Sequence, residues 1–370
     1  MPSQYRFELA TPDDDAGLRG VLAATPMPGA IQIAFRREPS YFAAAEVEGT
    51  IRQAIVCRQV AENRIVGCGS RSITMRWVNG HKQPVGYLSQ LRLLPSVRRQ
   101  GLMSRGYEFL RQLHSDGRAP FYLTTIAEDN HLAIRLLTSG RAPLPCYHDA
   151  GRYHTLVMTR RRLPKVEAQT DTIVRRATAN DRTAVVEFLA AEGQRRQFFP
   201  HIQGPDLFAE TGMFRGLAPS DLWLAWRGEK LCGTLGVWDQ RTFRQQQIVG
   251  YEGSLRWLRG VYNLLAPAIA RPSLPAPGAI IACRFAAIPV TAAHDPTLLQ
   301  LLLRHALAEC LAADESLLFG VHENDPWQPL LRRIAPLCYT TRLFLVCFAD
   351  GDTMLNQFDG RPTYLELGCL

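Results

Sequence analysis

The sequence contains no run of about 18 apolar residues, the least an α-helix needs to span a bilayer, so no membrane partner is expected. Its amino terminus has no apolar signal core and turns acidic at Asp13, Asp14 and Asp15, which argues against secretion and organelle import. Cysteine occurs nine times, but never as CxxC and never at a Cys/His ligand spacing. A zinc site and a disulfide framework are therefore not expected, no metal is predicted, and a reducing cytoplasm fits best. The arginines are dispersed rather than gathered in a stripe and no nucleic-acid-binding motif occurs, so the net charge of +8 does not point to a nucleic acid.

With those classes removed, 370 residues, 46% hydrophobic and 21% charged, describe an ordinary globular chain too long for one comfortable core. Charge divides it. Residues 1–160 hold 20 Lys or Arg against 13 Asp or Glu, 161–170 hold 3 against 1, and 171–370 hold 19 against 20. The basic, proline-containing run from Arg160 to Lys165 marks the boundary. The plan then restarts, because Thr172 to Asp181 repeats the strand, the Ala-Thr pair and the acidic helix start of Phe7 to Asp15. The expected division is a first domain at 1–160, a linker at 161–171, a second domain at 172–349 and a strand-like tail at 350–370. Residues 25–50 read as loop and irregular helix near an acceptor site. Between Gln246 and Pro277, an insertion with Leu255, Leu258, Val261, Tyr262 and Leu265 at helical spacing is expected to pack against one of the domains.

The stretch from Leu88 to Leu113 carries the chemistry. Val85 to Leu94 reads as the last of three consecutive strands, Pro95 ends it, and Arg98, Arg99, Gln100 and Gly101 lead into a helix. The first turn of a helix has N–H groups without intrahelical partners and a partial positive charge, so a basic glycine-containing turn there suits a phosphate or pyrophosphate. Ile280 to Val290 is the counterpart strand in the second half. The residues that follow it, Thr291 to Pro296, carry neither arginine nor glycine, and Asp295 would repel phosphate.

The pattern Leu93-x-Pro95-x-x-Arg98-x-x-Gly101 resembles the acyl-coenzyme A loop of GNAT-type N-acetyltransferases, with Met103 where that family usually has a small residue. Asn130-x-x-Ala133-x-x-Leu136, ending in Gly140, is similar to the family's last helix, whose Asn commonly contacts the pantetheine arm. The resemblance implies an α/β (α+β) fold of two tandem GNAT-like domains, each a mixed, mainly antiparallel central sheet flanked by helices, the second without the cofactor loop. It implies acetyl-CoA as cofactor, held by Leu91, Arg92, Leu93, Arg98, Arg99, Gln100, Gly101, Leu102, Met103, Ser104 and Asn130. Backbone N–H groups near a strand bulge around Leu91 to Leu93 would polarise the thioester.

Spacing does not fix the acid and the base. Leu137 stands where the family often has the Tyr that protonates the thiolate, so Tyr147, His148 and Glu128 are the candidates. Tandem acetyltransferases of the aminoglycoside-modifying type place the terminal carboxylate in the first active site, which adds Leu370. The expected function is acetyl transfer to a primary amine of a small molecule or peptide. The alternative, suggested by Met103 and Leu137, is a non-catalytic acyl-CoA-binding or regulatory protein; homo-oligomer formation stays open.

Overall fold

Two segments of one design open the two halves. Thr11 and Asp14 form a reciprocal capping box, and Thr178 and Asp181 form another, each followed at once by a helix. The structure, a computed structural model, describes residues 4–160, 171–266, 268, 271–312, 314–335, 337–349 and 358–370. The linker residues 161–170 and the first tail residues, 350–357, lie outside the described residues.

The first half runs β1 (Tyr5–Leu9), α1 (Asp15–Ala24), β2 (Ile31–Arg36), α2 (Tyr41–Ala45), β3 (Ile51–Gln59), β4 (Arg64–Val78), β5 (His81–Leu93), α3 (Leu102–His114), β6 (Tyr122–Ala127), α4 (His131–Leu137) and β7 (Cys146–Met158). The second runs β8 (Thr172–Arg176), α5 (Arg182–Gly193), β9 (Leu222–Arg227), β10 (Lys230–Trp238), β11 (Gln245–Tyr251), α6 (Leu255–Leu265), β12 (Cys283–Thr291), α7 (Pro296–Cys310), β13 (Ser316–His322), α8 (Gln328–Ile334) and β14 (Leu337–Cys347). Leaving aside β2 with α2 and β11 with α6, the two halves have the same order of elements.

They share one sheet of 12 strands in the order β1-β3-β4-β5-β6-β14-β7-β13-β12-β10-β9-β8. This order is a palindrome under the repeat. At its centre β14 pairs antiparallel with β6 and with β7, and β7 pairs antiparallel with β13. Each half's last strand thus completes the sheet of the other half. The sequence of β14 explains its central place, since Leu343, Phe344, Leu345 and Val346 are buried on both faces, as a strand with covered faces requires.

Helices cover the faces. In the first half α3 lays Tyr107 and Leu110 against Ile55, Ile73, Leu88 and Tyr122, together with Phe344 and Val346 from the second half. On the opposite face α1 buries Leu18, Val21 and Leu22 against Val56, Ile65 and Cys68. In the second half the leucines of α7 fill the equivalent core with Leu235, Leu317 and Phe319.

Two expectations are corrected. Residues 31–36, read as loop, form β2 and pair with β11 in a separate two-stranded sheet. Their partner lies about 200 residues away in the other half, so no hairpin turn announces the strand. Among the described residues, 358–370, the tail makes one parallel bridge, Thr363 to Gln197, and ends in a 3-10 turn at Leu367–Cys369 instead of a strand. It is nevertheless interior, with Tyr364, Leu365, Glu366 and Cys369 buried.

Candidate active site

The site is built where β5 leaves β6. The two strands run parallel and are paired only at Gly86 with Tyr122 and Tyr87 with Leu123, after which Thr124 Oγ1 donates to the Leu88 carbonyl at 2.8 Å. Beyond Leu88 the strands splay, and the edge of β5 from Ser89 to Leu93 faces the gap. Against β4 the register runs from Ser70 opposite Ser89 to Cys68 opposite Arg92, so β5 carries one extra residue there. Gln90 absorbs the bulge with a left-handed φ of 55°.

The chain then turns through Pro95–Val97 into α3. Arg99 and Gly101 both take positive φ, 66° and 68°, which aims successive N–H groups into one concavity at the start of α3. Nothing lies within 4 Å of the position a Cβ would take on Gly101, so its surroundings are open. Arg98, Arg99 and Gln100 are exposed around this turn, with Arg98 Nε donating to the Leu93 carbonyl at 3.3 Å. Leu102 is buried, Ser104 is half-buried, and Met103 packs into the core beside α3.

Below the bulge lies a cavity of about 70 Å3, lined among others by Leu88, Leu91, Arg92, Met103, Tyr107 and Leu110. Arg92 Nε is buried there without a hydrogen-bond partner, and burial lowers the pKa of its guanidinium. A buried donor left unmatched is costly, which fits a polar or anionic ligand group at this spot. A wider cavity of about 300 Å3 opens on the α2 face between Tyr41, Phe42, Glu46, Arg52 and Gln53. Ser70 lines both cavities.

The remaining candidates separate. Tyr147 meets Tyr107 hydroxyl to hydroxyl at 2.6 Å beside the smaller cavity. Burial holds the Tyr147 phenol well above its usual range and pushes Tyr107 up to about 12, so both carry their protons at neutral pH. His148, next along β7, is exposed, and the alternation of the strand turns it to the opposite face. Glu128 is held by Arg152 at 2.6 Å and by Arg342 at 3.7 Å; the Arg152 hydrogen bond lowers its pKa and makes it a poor base. Asn130 caps α4, its side chain accepting from the Ala133 N–H at 3.2 Å, so this acceptor is used locally.

The Leu370 carbonyl oxygen accepts from Arg244 Nη1 at 3.0 Å. Arg244 also binds Glu48 at 2.8 Å, while Glu48 takes a further ion pair from Arg37 and a hydrogen bond from Ser70 Oγ at 3.1 Å. Sequence reasoning missed this buried cluster. Its members come from four separate segments, and no spacing links them. Among the described residues no group of His, Cys, Asp or Glu is arranged to hold a metal ion.

The second half has the same junction, closed. Its strand β12 bulges between Ala287 and Val290, with Ile288 left-handed at φ 42°. Here the Ile288 N–H donates to Glu366 of the tail at 2.8 Å. Ala293 and His294 reproduce the pair of positive φ values, but Asp295 accepts from the N–H groups of Thr297 and Leu298 at 2.8 and 3.3 Å. A carboxylate of the chain itself thus occupies each place where the first half offers free donors.

Glu366 carries a testable consequence. Burial pushes its carboxyl up to about 7 from the usual 4.5, so the folded chain keeps a proton that the unfolded chain releases. Stability from this group is present below pH 4.5 and is lost as the pH rises to 7, about 3 kcal/mol in all. Glu366→Gln is expected to remove that slope and to raise Tm at pH 8 by a few degrees in calorimetric scans. An unchanged pH dependence of Tm would refute it.

Residues 23–140 match the model of the acetyltransferase (GNAT) family. No curated protein matches the sequence. Among solved structures, a conserved protein of Enterococcus faecalis described as a probable N-acyltransferase aligns at TM-score 0.55 and 9% identity, covering 95% of this chain and 74% of that one. Saccharomyces cerevisiae N-myristoyltransferase with bound myristoyl-CoA aligns at TM-score 0.60 and 10% identity, covering 94% and 79%. A GCN5-related N-acetyltransferase of Anabaena variabilis aligns at 0.50 and 11%, covering 92% and 72%. At these identities the likeness is one of fold.

Proposed function

We propose that this chain, whose residues 23–140 match the model of the acetyltransferase (GNAT) family, is an acyltransferase of that kind and transfers an acetyl group from acetyl-CoA to a primary amine of a small molecule or peptide, with the chemistry confined to the first half. One contrast carries the reading. The junction of β5 and α3 has an open strand edge, a bulge at Gln90 and an arginine-bearing turn, whereas the equivalent junction is closed by Glu366 and Asp295.

When bound, acetyl-CoA supplies the thioester at which an amine reacts. Arg98, Arg99 and the free N–H groups at the start of α3 bind its phosphates. The open edge of β5 hydrogen-bonds the pantetheine arm as an added strand would. Main-chain N–H groups past the bulge would stabilise negative charge at the carbonyl oxygen. Tyr147, kept protonated by burial, would give its proton to the departing sulfur and be reprotonated by the proton that the attacking amine releases. The cavity of about 70 Å3 is the smaller of the two, which suits a short acyl group. The wider cavity, which shares Ser70 with it as a lining residue, would receive the amine.

Replacing Arg98 and Arg99 together with alanine is expected to raise the Kd for coenzyme A about 30-fold, from roughly 1 kcal/mol per exposed, screened contact. Tm should not move, since both side chains are exposed. Titration calorimetry reads the first and a thermal scan the second. Unchanged affinity would remove the turn from the site, and an amine library without thiol release would remove the activity.

A further inference from the structure

Helix α6 is built the wrong way round for a helix that packs on its own protein. Its polar side faces inward: Asn263 exchanges hydrogen bonds with the backbone of Leu274 at 2.7 and 2.9 Å, Arg259 donates to the Leu274 carbonyl at 3.4 Å, and Tyr262 donates to the Pro272 carbonyl. Its apolar side faces outward. Trp257 is 78% and Leu264 80% exposed, and Leu258, Val261 and Leu265 are more than half exposed. These five positions, i, i+1, i+4, i+7 and i+8, form one continuous face of an 11-residue helix. The packing expected from the sequence is therefore not what the structure has, and an apolar face this concentrated marks an interaction surface.

The character of the face selects its occupant. The helix carries Arg256 and Arg259 and no acidic residue, and the exposed Arg256 stacks over Trp257 at 5.3 Å. Tryptophan, leucine and valine on one side with arginine at the margin is the composition of helices that lie in a membrane interface. A second copy of the chain fits less well. The helix is about 16 Å long, so its face offers a few hundred Å2, well short of the roughly 800 Å2 per partner of a stable interface. Self-pairing would also bring arginine toward arginine. The absence of a helix long enough to cross a membrane among the described residues concerns spanning, not surface contact.

We propose that α6 is a docking surface for anionic phospholipid bilayers, with Trp257, Leu258, Val261, Leu264 and Leu265 sunk at the acyl boundary and Arg256 at the headgroup phosphates. The helix follows β11 directly, and β11 pairs with β2, the strand just before the α2 wall of the wider cavity. The full chain is sedimented with vesicles of phosphatidylcholine containing about one-third phosphatidylglycerol, at low salt, and with phosphatidylcholine vesicles alone. Partition to the anionic vesicles is expected to be about tenfold stronger than to the neutral ones. The double substitution Trp257→Glu, Leu264→Glu is expected to lower it at least tenfold while leaving circular dichroism and coenzyme A affinity unchanged. Equal partition of the variant and the unaltered chain, or no partition by either, overturns the proposal. So does sedimentation showing a dimer that the double substitution converts to a monomer, because the face then belongs to a second copy.

Discussion

Expressed alone, residues 1–160 are expected to aggregate or remain molten, and co-expression with residues 161–370 is expected to restore a folded complex that binds coenzyme A. The reason lies at the centre of the sheet. Without β14, the edge of β6 is unpaired and the core under α3 loses Phe344 and Val346. Leu343 and Leu345 leave the opposite face of the same strand. Four buried side chains at about 2 kcal/mol each come to roughly 8 kcal/mol, against a total stability of about 5 to 15 kcal/mol for a folded domain. The exposed edge of β6 would then be a template for association. Gel filtration, near-ultraviolet circular dichroism and calorimetry with coenzyme A read the outcome. A monomeric fragment 1–160 with the affinity of the full chain would show that the exchanged strands are dispensable.

Tyr147→Phe is expected to lower kcat about 100-fold with little change in KM for acetyl-CoA, the split expected when a proton donor is lost and binding is not. The Tyr107 to Tyr147 contact of 2.6 Å gives a control, since Tyr107→Phe leaves the proposed donor in place. That substitution should cost less than tenfold. Because burial holds Tyr147 well above the usual tyrosine range, the unaltered chain should show no fall in the rate of the proposed transfer from this group at mildly alkaline pH. Steady-state kinetics across pH distinguish these outcomes. Equal losses in the two variants would indicate that the pair serves packing, not proton transfer.

Several features were legible before any coordinates. The capping boxes at Thr11 and Thr178 are local, made by side chains three residues apart, and both were visible as helix starts. The turn at Arg98 to Gly101 was visible because proline, arginine and glycine fall in a short span whose backbone geometry they dictate. Asp295 was legible as a residue that would repel phosphate; that it takes the N–H groups at the start of α7 is a finding of the structure. By contrast, the inward polar face of α6 was not. Periodicity identifies an amphipathic helix but does not say which side meets the protein, and here the hydrogen bonds to Leu274 decide it.

By itself, then, the sequence determined most of the elements, their duplication and the difference between the two strand-to-helix junctions, because capping, turn chemistry and periodicity act over fewer than about ten residues. Tertiary structure alone decided the exchange of β7 and β14, the pairing of β2 with β11, and the meeting of Glu48 with Arg37, Ser70 and Arg244. It also decided that Glu366 would close the second bulge. Each of these joins residues tens to hundreds of positions apart. The energy that selects them is the pairing of buried backbone and charged groups left unmatched by their neighbours in sequence, and it takes effect only once both partners are brought together in the folded core.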